Sequence, residues 1–195
     1  MVGHATDEER TIVSDRRQIE TIELVAILGA GAIGLSILQM CKAFGAGEIL
    51  VAEPNAGRRP AAERLGAKVA ASAKDLKAFF GSTDEPDLVF EAAGGDSTFR
   101  EALDLVKPEG RVMVLGIPSL DEQCYSARVP RRKETTVMFC RRSRDTLHAC
   151  LKMIADGRLD ISAFPVKEYT LDQSSEALED SIKREGEVVR AIVSP

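Results

Sequence analysis

The chain has few of the residues on which several common classes of protein depend. It contains 195 residues, yet no apolar run approaches the ~18 residues of a transmembrane helix, so the sequence predicts no membrane span. Its four cysteines form no Cys-x-x-Cys pair, which argues against a structural zinc site or a disulfide framework. Histidine occurs only twice, as His4 and His148, so spacing alone assembles neither a Ser-His-Asp triad nor a metal-ligand set.

The charge balance and the first residues exclude two further classes. Lys and Arg number 26 against 31 Asp and Glu, and the formal net charge of −5 argues against a nucleic-acid partner. Residues 1–10 are polar and acidic, which is not the composition of a signal peptide. The sequence therefore predicts a soluble, cytoplasmic protein, and its hydrophobic fraction of 44% is enough for a proper core.

A glycine turn between a strand and a helix is the most informative segment that the chain does contain. Residues 25–34 read Val-Ala-Ile-Leu-Gly-Ala-Gly-Ala-Ile-Gly, and an amphipathic helical pattern follows them. A Gly-x-Gly-x-x-Gly turn in this setting is typical of dinucleotide sites. Gly29 allows the tight turn, Gly31 lets the backbone approach a pyrophosphate, and Gly34 lets the helix pack closely on its strand. The helix N-terminus adds unpaired N–H groups and a positive dipole for the anion.

An acidic residue follows the next predicted strand. Glu53 stands 19 positions after Gly34, where a carboxylate accepts the hydrogen bonds of the adenosine ribose and repels the 2′-phosphate of NADP. Arg58 and Arg59 argue the other way, since arginines near this point often hold that phosphate. The carboxylate favours NAD. The alternative is that Glu53 only caps or solvates a loop.

Strands and helices alternate along the chain from Leu24 onward. The predicted strands cover residues 25–28, 48–53, 68–71, 87–93, 111–117, 135–140 and 188–193. This alternation predicts parallel pairing with right-handed crossovers, and hence an α/β fold with a doubly wound parallel sheet of the Rossmann type. Ligands bind such sheets outside the carboxyl ends of the strands. Glu53, Gly94 and Gly116 all stand at such ends, beside the first glycine turn.

The same pattern divides the chain into three parts. Residues 1–21 are charged and lack a sustained apolar period, which predicts a poorly ordered lead-in. Residues 22–157 form the predicted dinucleotide-binding domain, and residues 158–195 a β-α-β appendage interrupted by proline. A short helix is predicted over residues 75–80. In the first helix, apolar residues are spaced to form one buried stripe of Ile33, Ile37, Cys41 and Phe44.

Basic residues gather in the second half of the chain, at Arg128, Arg131, Arg132, Lys133, Arg141, Arg142 and Arg144. Nucleic-acid-binding patches interleave such residues with aromatic ones, and here only Tyr125 lies nearby. The cluster is therefore interpreted as a solvated loop and helix start.

Several further segments occur in an order that is specific in combination. They are Ala-Glu-Pro (52–54) with Arg-Arg (58–59), Leu-Gly-Ala (65–67), Asp-Leu-Val-Phe-Glu-Ala-Ala-Gly (87–94), Lys-Pro-Glu-Gly-Arg-Val (107–112), Leu-Gly-Ile-Pro (115–118), Arg-Lys-Glu (132–134), Gly-Arg-Leu-Asp (157–160) and Gly-Glu-Val-Val-Arg-Ala-Ile-Val (186–193). With the glycine turn, they make the chain from Leu24 onward resemble the cofactor-binding half of zinc-type medium-chain alcohol and polyol dehydrogenases. The sorbitol, butanediol and threonine dehydrogenase branch is the nearest in appearance.

The resemblance implies a role for particular residues in binding NAD. The pyrophosphate turn of the family falls on Gly29, Ala30, Gly31, Ala32, Ile33 and Gly34. Its ribose carboxylate falls on Glu53, and the basic residue that borders the adenosine falls on Arg58. The backbone segment that receives the nicotinamide falls on Leu115, Gly116 and Ile117. The arginine that pairs with the pyrophosphate falls on Arg190, which suits a diphosphate because a guanidinium is a forked donor. The alternative is that Arg190 is an ordinary exposed strand residue.

The sequence departs from the family in one large respect. Zinc is expected for the full-length family, but the N-terminal catalytic domain that holds it has no counterpart in this sequence, so no catalytic or metal-binding residue is assigned. In the family, the proline-interrupted tail completes that domain. Without zinc to polarise an alcohol, hydride transfer has no activation. The chain is then a truncated product, an excised domain or one piece of a split enzyme.

Three hypotheses for function follow. The first is the NAD(H)-binding portion of an alcohol or polyol dehydrogenase-like oxidoreductase, working with a separate zinc-binding catalytic polypeptide; whether the chain alone is an enzyme stays open. The second is a non-catalytic NAD(H)-binding or sensing module that acts through a partner. The third replaces the ligand by S-adenosylmethionine, against which Arg190 argues. The resemblance also implies a homodimer through the edge strand at residues 135–140.

Overall fold

The computed structural model describes residues 24–80, 84–119, 122–141, 145–183 and 189–195. The predicted lead-in over residues 1–21 lies outside these ranges. So do Arg142 and Arg144 of the basic cluster and the first residue of the predicted final strand, Val188.

One six-stranded sheet organises most of the described chain. Its strands are β1 (Leu24–Leu28), β2 (Glu48–Ala52), β3 (Lys68–Ala70), β4 (Leu88–Glu91), β5 (Arg111–Val114) and β6 (Thr136–Phe139). The accompanying helices are α1 (Ala32–Ala43), α2 (Arg59–Arg64), α3 (Ala73–Leu76), α4 (Thr98–Leu105), α5 (Arg128–Lys133) and α6 (Leu147–Ala155). The strand order is β3-β2-β1-β4-β5-β6, and every neighbouring pair is parallel.

The core lies on both faces of this sheet. Val25 and Ile27 of β1 belong to a buried cluster with residues of α1 and α2, whereas Ala26 and Leu28 belong to a second cluster with α3 and α4. Successive side chains of a strand point to opposite faces, so a strand covered by helices on both sides needs an uninterrupted apolar run. The predicted α/β, doubly wound parallel sheet is confirmed.

The last residues of the six strands pair in one straight row. The row consists of Ala70, Ala52, Leu28, Glu91, Val114 and Phe139, and we call it the carboxyl edge. The loops that follow the strands therefore all leave the sheet at one level. In sheets of this kind ligands bind at that level, and most where the strand order reverses between β1 and β4.

Some predicted boundaries and one residue of the predicted buried stripe were wrong. Ile37 and Cys41 are buried as expected, but Ile33 is 45% exposed because it lies in the first turn of α1, beside the open carboxyl edge. The helix predicted over 75–80 lies at Ala73–Leu76, since the Ser72 hydroxyl accepts a hydrogen bond from Asp75 N (3.2 Å) and caps it there. The strand predicted over 111–117 ends at Val114.

The C-terminal residues form the expected β-α-β unit. Strand β7 (Val166–Thr170) pairs in parallel with β8 (Arg190–Ser194), and α7 (Ser174–Lys183) connects them. Inside the unit, Lys167 Nζ and Tyr169 OH both donate to the Asp180 carboxylate, at 2.8 and 2.6 Å. The bond to Asp180 raises the pKa of Lys167, and burial raises the pKa of Tyr169. A charge-assisted contact of this kind helps to hold a unit with little core of its own.

A side-chain amide joins the segment before β7 to the first helix. Gln39 of α1 is buried, and its amide nitrogen donates to Asp160 O at 3.0 Å while its amide oxygen accepts from Asp160 N at 2.6 Å. The backbone N–H and carbonyl groups of Asp160 are thereby both hydrogen-bonded to one residue of α1.

None of the described helices has the length and apolar content needed to cross a bilayer.

Candidate cofactor site

The glycine turn bends the chain at the end of β1. Gly29 has φ +104°, in the left-handed region that favours glycine, and its N–H donates to Ala52 O at 2.8 Å. A Cβ at Gly29 would come within 3.2 Å of Ala93 Cβ. The turn is therefore wedged between the ends of β2 and β4.

Gly34 and Gly31 have different surroundings. A Cβ on Gly34 would overlap the carbonyl oxygen of Gly29, so α1 packs directly on the turn. A Cβ on Gly31 would meet no atom within 4 Å, and Gly31 is the N-cap of α1 with no side-chain cap of its own. The first N–H groups of an α-helix have no partner inside the helix. An anion can reach them here through the open space at Gly31, and this arrangement fits a pyrophosphate.

Glu53 lies directly after β2 and is only 6% exposed. Its Oε2 accepts a hydrogen bond from Ala30 N at 2.7 Å, and its Oε1 accepts one from Asn55 N at 2.9 Å. The carboxylate is thus attached to the glycine turn rather than exposed on a loop. Each carboxylate oxygen has a second acceptor position, so Glu53 can still receive hydroxyl donors.

The two arginines that follow Glu53 lie at the start of α2. Arg59 donates from Nε to Glu53 O and from Nη2 to Pro54 O, both at 2.7 Å. Its guanidinium therefore closes the turn after β2. Arg58 is the N-cap residue of α2, and its place beside an adenosine remains a prediction.

The segment that follows β5 is fixed by β4. The carbonyl oxygen of Glu91 accepts from both Leu115 N (2.8 Å) and Gly116 N (2.9 Å). A Cβ on Gly116 would overlap Gly94 N and Glu91 Oε2, so only glycine fits between them. Ile117, the next residue, is 66% exposed. The backbone of residues 115–117 therefore leaves the carboxyl edge in a fixed position, next to solvent.

Arg190 belongs to the two-stranded sheet of β7 and β8 rather than to the six-stranded sheet. It is the exposed first residue of β8, and it pairs in register with Val166. Its backbone N–H donates to Pro165 O at 3.3 Å. Its assignment to a pyrophosphate remains a prediction.

Sequence reasoning gave no role to Glu91, although the structure places it at the centre of the carboxyl edge. Its side chain is 2% exposed, and Oε1 accepts hydrogen bonds from Ala93 N (2.9 Å), Gly94 N (2.8 Å) and Thr98 Oγ1 (2.8 Å). The signal in the sequence is a single acidic residue within an otherwise apolar strand, ahead of a glycine. Buried carboxylates are rare unless they are paired or hydrogen-bonded.

Comparison with known proteins identifies the family. The family model described as zinc-binding dehydrogenase matches residues 32–156, which is more than half of the chain. The chain belongs to the zinc-binding dehydrogenase family.

Curated relatives extend over most of this dehydrogenase-family chain. An uncharacterized zinc-type alcohol dehydrogenase-like protein, YdjJ of Escherichia coli K12, is 29% identical over 174 residues, which are 87% of this chain and 50% of that protein. Sorbitol dehydrogenase of Bacillus subtilis 168 is 25% identical over 185 residues, 92% of this chain and 52% of that protein. The resemblance read from the sequence is confirmed, and the chain spans about half the length of these relatives.

Solved structures of dehydrogenases share the fold. A putative zinc-binding dehydrogenase of Sinorhizobium meliloti 1021, bound to NADP, has a TM-score of 0.75 at 24% identity, covering 89% of this chain and 52% of that one. An alcohol dehydrogenase of Escherichia coli CFT073, complexed with NADH, has a TM-score of 0.76 at 19% identity, with coverage of 89% and 52%.

The described residues include no set of ligands that fits the zinc after which this family is named. Within those ranges no three His, Cys, Asp or Glu side chains lie together in a way that could hold a metal ion. Cys41 lies in the apolar core, where burial raises the pKa of its thiol to about 12, and burial also raises the pKa of Cys140. The described residues therefore do not fit zinc, and no step is assigned to it.

Proposed function

We propose that this chain is the NAD(H)-binding portion of an alcohol or polyol dehydrogenase-like oxidoreductase. One observation carries the proposal: the open N-terminus of α1 at Gly31 is joined, through the bond from Ala30 N to Glu53, to a buried carboxylate at the end of β2. An anion site and a hydroxyl acceptor side by side are what the diphosphate and the ribose of an adenosine diphosphate require.

Each part of the cofactor has its own group of residues. The N–H groups of residues 29–34 would hold the pyrophosphate, and Glu53 the adenosine ribose, with Arg58 beside the adenosine. The backbone of residues 115–117 would receive the nicotinamide, and Arg190 would pair with the pyrophosphate. The bound nicotinamide supplies the hydride acceptor or donor. The contribution of this chain is to bind the cofactor and to fix its orientation.

Activation of the substrate belongs to another part of the enzyme in this proposal. A separate zinc-binding catalytic polypeptide would supply it, since the described residues do not fit a metal. Apolar side chains exposed on the C-terminal unit support this view, among them Leu171, Leu178 and Ile182.

The alternative function is a non-catalytic NAD(H)-binding or sensing module. Alcohol-dependent reduction of NAD, assayed with zinc and with any polypeptide encoded upstream, separates the two. A cytoplasmic location is part of the same proposal.

NADH is expected to bind the chain, and the substitution Gly31→Ala is expected to weaken binding at least about tenfold. The added methyl group would occupy the space through which the phosphates approach the helix N-terminus. The measurement is the enhancement of NADH fluorescence on titration with the chain. The substitution should leave the fold intact, because Gly31 has φ −75° and its new Cβ would meet no atom within 4 Å.

Circular dichroism melting of both proteins is the control for this experiment. Equal melting temperatures with unequal affinities would mean that the added methyl group weakens NADH binding by direct contact and not by unfolding the protein. An absence of binding by the unsubstituted chain at millimolar NADH would contradict the proposed function.

A homodimer through the edge strand β6 is expected from the same family resemblance. Thr136 N and Cys140 N donate to Gly110 O and Val114 O of the β5 side, so the alternate residues Val137 and Phe139 direct their backbone groups away from the sheet. Phe139 is also 73% exposed. A second copy can pair with this edge and cover the ring.

Sedimentation is expected to give twice the chain mass of 21.1 kDa, and Phe139→Lys is expected to return the protein to monomers. Phe79→Lys is the matched control, because Phe79 is also an exposed phenylalanine but lies outside the edge strand. Monomers alone in the unsubstituted protein, or an equal effect of the two substitutions, would count against this dimer.

A further inference from the structure

We propose that Glu91 is a positioning residue for the nicotinamide end of the cofactor. The inference rests on the proposed function, and it assigns a role to a side chain that lies inside the sheet rather than on the binding surface. Glu91 is 2% exposed and lies in the row that forms the carboxyl edge.

The Glu91 side chain fixes the turn that follows β4. Its Oε1 accepts three hydrogen bonds, from the backbone of Ala93 and Gly94 and from the Thr98 hydroxyl at the start of α4. Hydrogen bonds to a carboxylate are stronger than those between neutral groups. A turn held by three of them has one preferred position, and residues 92–94 form that turn.

This turn contacts both halves of the candidate site. On one side it lies against the glycine turn, since a Cβ on Gly29 would be 3.3 Å from Ala92 C and 3.2 Å from Ala93 Cβ. On the other side it lies against the segment after β5, since a Cβ on Gly94 would be 2.5 Å from Ile117 O. The backbone that would receive the nicotinamide therefore rests on the backbone that Glu91 holds.

Glu91 also contacts the receiving segment itself. Its carbonyl oxygen accepts from Leu115 N and Gly116 N, and its Oε2 lies where a side chain on Gly116 would be. A carboxylate oxygen in that position accepts but cannot donate, whereas an amide there would bring two N–H donors against the Gly116 backbone. The substitution Glu91→Gln thus preserves shape but disturbs residues 115–117.

The test compares two ligands in the full chain. NADH carries the nicotinamide, and ADP-ribose has the same adenosine and pyrophosphate without it. Glu91→Gln is expected to weaken NADH binding about tenfold, because a neutral amide makes weaker hydrogen bonds to the turn and brings donors against the Gly116 backbone, and to change ADP-ribose binding less than about twofold. Calorimetry measures both ligands, and melting temperature reports the fold.

Two substitutions at Thr98 keep the test decisive if Glu91→Gln does not fold. Thr98→Val removes a hydroxyl that Glu91 Oε1 and Gly95 O share as acceptors, each at 2.8 Å, and it does so without changing the shape of the side chain. It should weaken NADH binding about threefold and change ADP-ribose binding less. Thr98→Ser keeps the hydroxyl and should bind NADH as tightly as the unsubstituted chain. The role of Glu91 is overturned if the substitutions weaken the binding of NADH and ADP-ribose equally, or if they change the binding of neither. If the unsubstituted chain binds neither ligand, the proposed function fails and this inference fails with it.

Discussion

The substitution Gly34→Ala is expected to lower the melting temperature by about 6–12 °C. The new Cβ would overlap the carbonyl oxygen of Gly29, and neither atom belongs to a flexible side chain. Helix α1 must therefore move away from the end of β1. Overpacking of this kind costs about 3 kcal/mol at the upper end of its usual range, and each kcal/mol shifts the midpoint by about 2–4 °C in a chain of this length.

Thermal unfolding followed by circular dichroism measures this effect, and Gly31→Ala is its matched control. Both substitutions add one methyl group to the same turn, but at Gly31 there is open space. The control should change the free energy of unfolding by no more than about 0.5 kcal/mol. Similar midpoints for the two variants would mean that α1 does not depend on this close approach.

NADH is expected to bind about 100-fold more tightly than NADPH. The 2′-phosphate of NADPH carries about two negative charges and would enter a position next to the buried Glu53 carboxylate, where like charges cost several kcal/mol. The guanidinium of Arg59 is held at the turn after β2, where it donates to Glu53 O and Pro54 O. Parallel titrations with the two reduced cofactors give the ratio directly.

Glu53→Gln tests whether the carboxylate causes this preference. The substitution removes the charge and keeps one oxygen to accept from Ala30 or Asn55, so the ratio of the two affinities should fall toward one. Gly31→Ala should weaken the binding of both cofactors and leave the ratio of the two affinities unchanged. A ratio near one in the unsubstituted chain, or a preference for NADPH, would contradict the assignment of Glu53 to the ribose.

The features that the sequence predicted correctly are local in character. The glycine turn, the apolar strands and the helices between them follow from the properties of adjacent residues, and together they determine the α/β doubly wound fold. Because parallel strands end at one edge, the sequence also placed Glu53 and Gly116 on the same side of the sheet. Their assignment to parts of a cofactor awaits the titrations above.

The features that it missed depend on contacts between distant segments. Glu91 reads as one polar residue in an apolar strand, and its hydrogen bonds to the turn after β4 become visible only in three dimensions. Ile33 fits the spacing of a buried stripe, but spacing does not show that the first turn of α1 lies beside the open edge. Spacing likewise does not show that Arg59 donates to Glu53 O and Pro54 O and so closes the turn after β2.

The straight carboxyl edge sets a minimum length for any ligand that uses the whole site. Glu53 follows β2 and residues 115–117 follow β5, with β1 and β4 between these two strands. Three strand spacings of about 4.8 Å separate them by about 14 Å. A mononucleotide that fills one end cannot touch the other, so only an extended molecule with recognisable groups at both ends engages the two together. The distance between neighbouring strands, which their hydrogen bonds fix, thereby selects among ligands by their length.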